Sequence, residues 1–241
     1  STITDPTIIR TVTVTIPEGM NIRQIGRLLQ RQIGVDSARF VEEAKNDSLI
    51  KLLGFDDESK IENLEGYLFP DTYQFRFNSL NREKEIVSLM ASTFRKRVTP
   101  EMREEMKAKN LTLNELVTMA SIIEGETRYE AEKKTISGVY YNRIKKGMKL
   151  QADPTVQYIL PGGSKNRLLY SDLKIESPYN TYLYKGLPPG PINNPGLSSI
   201  IAALEPEENS YLYFVAKGDG SHRFAVSYDE HKKNITLYQQ Y

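Results

Sequence analysis

Cysteine and tryptophan are absent from this 241-residue chain, and His222 and His231 are its two histidines. Without cysteine there is no disulfide framework, no thiolate nucleophile, no Cys-ligated zinc and no iron–sulfur site. Two histidines are too few for a His-rich metal centre. Neither sign of charge dominates, since 32 Lys+Arg stand against 31 Asp+Glu for a net charge of +1. No bulk field therefore recruits nucleic acid or anionic lipid, and any ligand has to be recognised locally. No run approaches the ~18 apolar residues of a membrane span. Four motifs are also missing: the Gly-x-Ser-x-Gly elbow, the Gly-x-x-x-x-Gly-Lys-Ser/Thr loop, Gly-x-Gly-x-x-Gly and His-Glu-x-x-His. Serine hydrolase, P-loop nucleotidase, dinucleotide oxidoreductase and zincin readings fall with them.

What is present suits a folded α+β protein of one or two domains, with 39% hydrophobic residues to build a core. Residues 11–16, Thr-Val-Thr-Val-Thr-Ile, alternate strictly and predict a half-buried strand. Pro17-Glu18-Gly19 ends it as a turn. Asn21 is an N-cap, and Ile22, Ile25, Leu28 and Leu29 recur at the helical period. A second short helix begins at Ser37. An aromatic, turn-containing segment from Glu65 to Phe77 follows, then a helix over Arg82 to Arg97 and a solvated charged run from Glu101 to Lys109. The last third predicts a helix from about Glu130 to Lys146, a short helix at Ser198 to Leu204 and a hairpin. Tyr211 to Ala216 and Arg223 to Tyr228 form that hairpin about the Gly218-Asp219-Gly220 turn.

The helix after Thr112 carries the first chemical signal. Thr112 and Glu115 form a capping box, and Leu113, Leu116, Val117, Ala120 and Ile123 make one apolar stripe. At about 100° per residue, Glu124 falls about 20° from both Leu113 and Val117, which places a carboxylate on the buried face. Burial favours the protonated form that a general acid needs. A structural glutamate pairing with a neighbour such as Arg128 fits the same spacing. Glu126 points about 160° away, toward solvent or the following turn.

Between Gln151 and Gly196 the chain is rich in Pro, Gly, Asn and Tyr. A loop region this long is functional or disordered, and its aromatic content argues for order. Tyr rings and Asn or Gln amides are what a sugar groove uses, although turns packed on the hairpin use them equally. His222 reads as an ordinary strand-start residue and His231 as a solvated one.

Ala120-Ser121-Ile122-Ile123-Glu124-Gly125-Glu126-Thr127 resembles the active-site helix of the endolytic murein transglycosylases, the MltG or YceG-like family. Further blocks follow in the family's order: Glu65-Gly66-Tyr67-Leu68-Phe69-Pro70-Asp71-Thr72-Tyr73, Tyr141-Asn142-Arg143, and Gly147 through Val156. After them come Tyr179-Asn180-Thr181-Tyr182, Gly186-Leu187-Pro188-Pro189-Gly190-Pro191-Ile192, Asn194-Pro195-Gly196, and Tyr211 through Ala216 with His222 and Phe224. The resemblance runs from about Pro17 to the C-terminus. Gly125 stands where other members often carry a charged or polar residue.

The resemblance implies cleavage of the β-1,4 bond between N-acetylmuramic acid and N-acetylglucosamine inside glycan strands, leaving 1,6-anhydro ends. It implies an α+β fold with a small N-terminal LysM-like subdomain (1–64, possibly truncated) and a catalytic domain (65–241) ending in the β-hairpin. Ordinary glycosidases need two carboxylates, whereas a lytic transglycosylase lets the C6 hydroxyl of the sugar attack, so one Glu serves as acid and then base. That residue is Glu124. Gln151, Asp153, Thr155, Tyr179, Asn180, Thr181, Tyr182 and Asn194 are the candidates for holding N-acetyl and hydroxyl groups, and Asp153 also reads as a turn initiator. No metal, cofactor or nucleic-acid partner is expected. The expected setting is the outer side of the cytoplasmic membrane, on a single N-terminal helix outside these residues, beside cell-wall synthases or the division or elongation machinery. Two rivals remain: a non-catalytic glycan-binding scaffold, and a hydrolase using Glu124 with Asp153 as base.

Overall fold

The structure is a computed structural model that describes residues 11–55, 61–76 and 82–238; Phe77, the end of the predicted aromatic segment, lies outside them. Strand β1 (Thr11–Thr15) has the alternation expected of it, with Val14 buried between exposed threonines. Helix α1 (Ile22–Ile33) starts at Asn21 through a full capping box with Gln24 and stops at Gly34 in the left-handed conformation. Its buried face, Ile22, Ile25, Leu29 and Ile33, packs toward α2 (Ser37–Glu43). At roughly 1.5–3 kcal/mol per fully buried aliphatic side chain, this stripe and not helix propensity holds the unit together. A further helix, α3 (Asp47–Leu52), is capped by Asn46 and was not expected from its short apolar run.

Strand β2 (Thr72–Arg76) pairs antiparallel with β1, Thr11 opposite Arg76 and Thr15 opposite Thr72. The sheet thus reaches across residue 64, and α4 (Arg82–Arg97) packs on α2. Between the strands, residues 65–70 are buried. Tyr67 meets the ring of Phe94 edge-on at 5.2 Å, and its hydroxyl lies 3.2 Å from Asn114 Oδ1. Gly66 has φ +87°, and a Cβ there would stand 2.5 Å from Pro191 and 2.7 Å from Val117, so glycine is required on two counts.

The charged run is a helix, α5 (Pro100–Ala108), with Thr99 as its N-cap. Next comes α6 (Leu113–Glu126), capped by Thr112 and Glu115 as the sequence predicts. It is buried well beyond one stripe, because α9 (Leu197–Leu204), α7 (Lys133–Lys145) and α8 (Asp153–Ile159) all pack on it. Strands β3 (Tyr213–Ala216) and β4 (His222–Ala225) form the hairpin, Phe214 opposite Phe224. The return strand ends at Ala225, where α10 (Tyr228–Tyr238) begins and packs back on both strands. Among the described residues no helix is long and apolar enough to cross a membrane.

Candidate active site

Glu124 lies in the last turn of α6 with its side chain 6% exposed. It is buried and well partnered. Oε2 accepts the Ser199 hydroxyl at 2.7 Å and the Gly196 N–H at 3.0 Å, and Lys133 Nζ stands 3.5 Å away. Lys133, first residue of α7 and 2% exposed in its side chain, also binds Glu130 at 2.6 Å and the Ser198 hydroxyl at 2.9 Å. The partner of Glu124 is therefore Lys133, not Arg128. Among the described residues no hydrogen bond reaches Oε1, so a proton carried by Glu124 belongs on that oxygen. Such an arrangement holds the carboxyl rigidly by one atom and leaves the other for chemistry.

The carboxyl opens into a groove of about 860 Å³ lined by Glu18, Gln24, Asp153, Gln157, Tyr158 and Asn193, among others. Gly125 lets the floor close: a Cβ at this position would stand 2.6 Å from Pro154 Cβ. Asn193 is 6% exposed; its Nδ2 donates to Ser121 O at 2.8 Å, while Oδ1 is buried without a partner among the described residues.

Glu126 departs from expectation. It turns inward, not toward solvent, because α7 and α8 cover the side of α6 opposite the predicted stripe. Tyr140 donates its hydroxyl to Glu126 Oε1, and burial pushes the Glu126 carboxyl up to about 7. Glu126 and Asp153 also line a second cavity of about 360 Å³ with Gln151, Tyr182 and His222. His222 opens β4, as its strand-start reading has it, and pairs with Glu132 at 2.8 Å, whereas His231 stacks on Tyr213 at 5.1 Å and is not the freely solvated residue expected.

The polar residues singled out from the loop region divide into two sets. Thr155, Asn180, Thr181 and Asn194 are buried, with their polar atoms committed within the protein. Thr155 and Thr181 share a hydroxyl contact of 2.8 Å, and Asn180 Nδ2 donates to Leu173 O and Ile175 O. Asn194 Oδ1 accepts from Leu68 N, and its Nδ2 donates to Met20 O and Glu65 Oε1. These four brace the groove from behind. Asp153 and Gln151 are exposed, Tyr182 donates to Asp153 Oδ1 at 2.6 Å, and the ring of Tyr179 lies tilted by 46° against that of the groove residue Tyr158 at 5.2 Å. Asp153 opens α8, with Pro154 in its first turn, so the turn reading gives way to a helix start.

Lys133, Ser199, Asn193 and Glu18 were not legible as site residues. Lys133 and Ser199 carry no periodic signal, and Glu18 shows in the sequence only as part of a turn.

Glu124, anchored at the end of α6, thus opens to a polar groove whose lining also includes Glu18, Glu126 and Asp153. The chain belongs to the YceG-like family, whose profile it matches over residues 2–237. A protein named endolytic murein transglycosylase from Bacillus subtilis (strain 168) is 38% identical over 230 residues, 91% of this chain and 63% of that protein. Another of that name, from Streptococcus pneumoniae serotype 2 (strain D39 / NCTC 7466), is 32% identical over 92% of this chain and 44% of its own length. The chain thus spans about half to two thirds of these curated relatives. A crystal structure of a YceG-like protein from Listeria monocytogenes superposes with a TM-score of 0.83 at 36% identity, covering 92% of this chain and 75% of that one.

Proposed function

We propose that this chain is the catalytic part of a peptidoglycan lytic transglycosylase acting within glycan strands. The observation that carries the reading is Glu124, tethered through Oε2 and open through Oε1 at the floor of the groove. Glu124 gives its Oε1 proton to the glycosidic oxygen as the muramic acid C1–O bond breaks. The same carboxylate takes the proton of the C6 hydroxyl as the C1–O6 bond forms, so no water is consumed and the product ends in a 1,6-anhydro sugar. Two proton transfers by one group suit a carboxyl that does not move between them.

In this reading Asp153, Gln151, Tyr179 and Tyr182 contact the strand, and Asn193, on the groove wall, meets an acetamido group. The N-terminal unit is LysM-like, and a membrane helix preceding these residues in the full-length protein holds the domain outside the cytoplasmic membrane beside synthases or the division or elongation machinery. The shared groove position of Asp153 favours, as second reading, a hydrolase with Asp153 as base.

Mass spectrometry of muropeptides released from purified glycan strands separates them. Products lighter by one water than hydrolysed ends, lost in Glu124→Gln, support the lyase. Hydrated reducing ends support the hydrolase, and equal cleavage by the variant removes Glu124 from the chemistry.

A further inference from the structure

The second cavity, of about 360 Å³, adjoins the groove. Glu126 and Asp153 line both spaces, so the cavity leaves the groove as a side branch just past Glu124 on α6. Its other walls come from α7 with Arg143, from Tyr182, and from the hairpin and α10 with Ala216, His222 and His231.

Arg143 is the unusual member of this wall. It sits in the last turn of α7, 7% exposed, and struts two loop segments: Nε donates to Leu212 O at 2.7 Å and Nη1 donates to Leu150 O. Its guanidinium carbon lies 5.4 Å from the centre of the Tyr213 ring, a cation–π contact. Nη2 makes no hydrogen bond among the described residues, and no carboxylate among them forms an ion pair with Arg143. Buried cations are ordinarily paired, because a charge held away from water without compensation is costly. The acids around the cavity are engaged elsewhere. Glu126 accepts the Tyr140 hydroxyl, Asp153 accepts the Tyr182 hydroxyl at 2.6 Å, and Glu132 holds the His222 ring at 2.8 Å. The guanidinium thus keeps donor capacity that no side chain among the described residues uses.

A glycan strand is linear, and what leaves it sideways in murein is the lactyl ether of muramic acid. That branch ends in a carboxylate or continues into a peptide that carries carboxylates. We propose that the cavity is a branch site, in which Arg143 receives a carboxylate of the lactyl branch through a charge-assisted bond from Nη2. The proposal rests on the reading of the groove as the seat of the strand. With two of its three nitrogens already fixed on backbone carbonyls, the guanidinium is oriented before the ligand arrives, and little side-chain freedom is lost on binding. Arg143 takes no part in bond breaking. It selects strands whose branch is anionic and sets their register against Glu124.

The test compares KM on purified stem-bearing strands with KM on the same strands after carbodiimide amidation of their carboxylates. The proteins are the parent, Arg143→Met and Ala216→Glu. The parent should favour native strands by about tenfold or more in KM with kcat little changed, as a charge-assisted bond made equally in ground and transition states requires. Arg143→Met should bring that ratio close to one. Ala216 is exposed at the cavity wall, so Ala216→Glu leaves both struts of Arg143 in place, introduces a rival carboxylate and should also erase the preference. It decides the matter if Arg143→Met does not melt as a folded protein. Strands stripped of their stems by an amidase tell the two carboxylate sources apart. A preference that survives stripping assigns the lactyl carboxylate, one that vanishes assigns a carboxylate of the peptide, and both support the branch site. Equal KM of the parent for native and amidated strands would overturn it, as would a folded Arg143→Met that leaves the ratio unchanged. Cleavage of both kinds of strand at equal KM sinks the branch site alone, whereas a parent protein that neither binds nor cleaves any strand sinks the reading of the groove on which it rests.

Discussion

Ser199 donates its hydroxyl to Glu124 Oε2 over 2.7 Å from the first turn of α9, although the two residues are 75 positions apart. Ser199 itself is fully buried. Because the acceptor is a carboxyl, this bond contributes on the order of 1.5–3 kcal/mol. Ser199→Ala should therefore lower kcat by about tenfold or more with KM little changed, since the hydroxyl steadies the reacting group and not the sugar. Steady-state rates on defined glycan oligomers check this; a raised KM at constant kcat would place Ser199 in substrate binding instead.

Asn193 makes the opposite prediction. Its side chain lines the groove and touches no atom of Glu124, so Asn193→Ala should raise KM by about five- to tenfold and leave kcat nearly intact. Strands lacking the N-acetyl group should bind parent and variant alike. Equal affinities of parent and variant for acetylated strands would count against the contact.

Asp153 separates lyase from hydrolase. A catalytic base removed by Asp153→Asn would lose roughly 10²–10⁴ in rate. As a substrate contact held by Tyr182 at 2.6 Å, it should lose no more than about tenfold, and the released ends should stay anhydro.

Stability should fall as pH rises. Glu65 is buried beneath α1, where it accepts from Ile22 N and Asn194 Nδ2, yet burial outweighs these bonds and pushes its carboxyl up to about 8. Glu126 is displaced the same way, to about 7. A carboxyl raised in the folded state binds its proton there more tightly than in the unfolded chain, so its contribution is complete below about pH 4.5 and is lost progressively up to about pH 8. Melting temperatures taken from about pH 5 to about pH 8 should drop, reflecting a few kcal/mol for Glu65, and Glu65→Gln should flatten the curve. A melting temperature that rises with pH would contradict the burial argument.

How much of this was legible in the sequence depended on whether a residue acts locally. The β1 alternation, the Asn21 N-cap, the Thr112 capping box and the burial of the Glu124 side chain follow from neighbours within one or two turns, and each is found as read. Helix α8 was hidden because Pro154 reads as a breaker when it is in fact at a helix start. Helix α10 was hidden because its polar sequence presents no apolar stripe, only Asn234 being buried. Glu126 was misplaced because a one-stripe reading assumes one covered face, and three other helices cover α6. Lys133 and Ser199 reach Glu124, and Glu18 the same groove, only through tertiary packing, which no local pattern encodes.

The clasp between Met20 and Asn194 joins residues 174 positions apart, and the groove floor lies between its two sides. Closing so long a loop is slow to achieve even though its entropy grows only logarithmically with length. During synthesis, Glu124 is therefore made well before the segment that holds it. A nascent chain that ends before residue 196 carries Glu124 without its Gly196 and Ser199 anchors, so the carboxyl is fixed in place only late in folding.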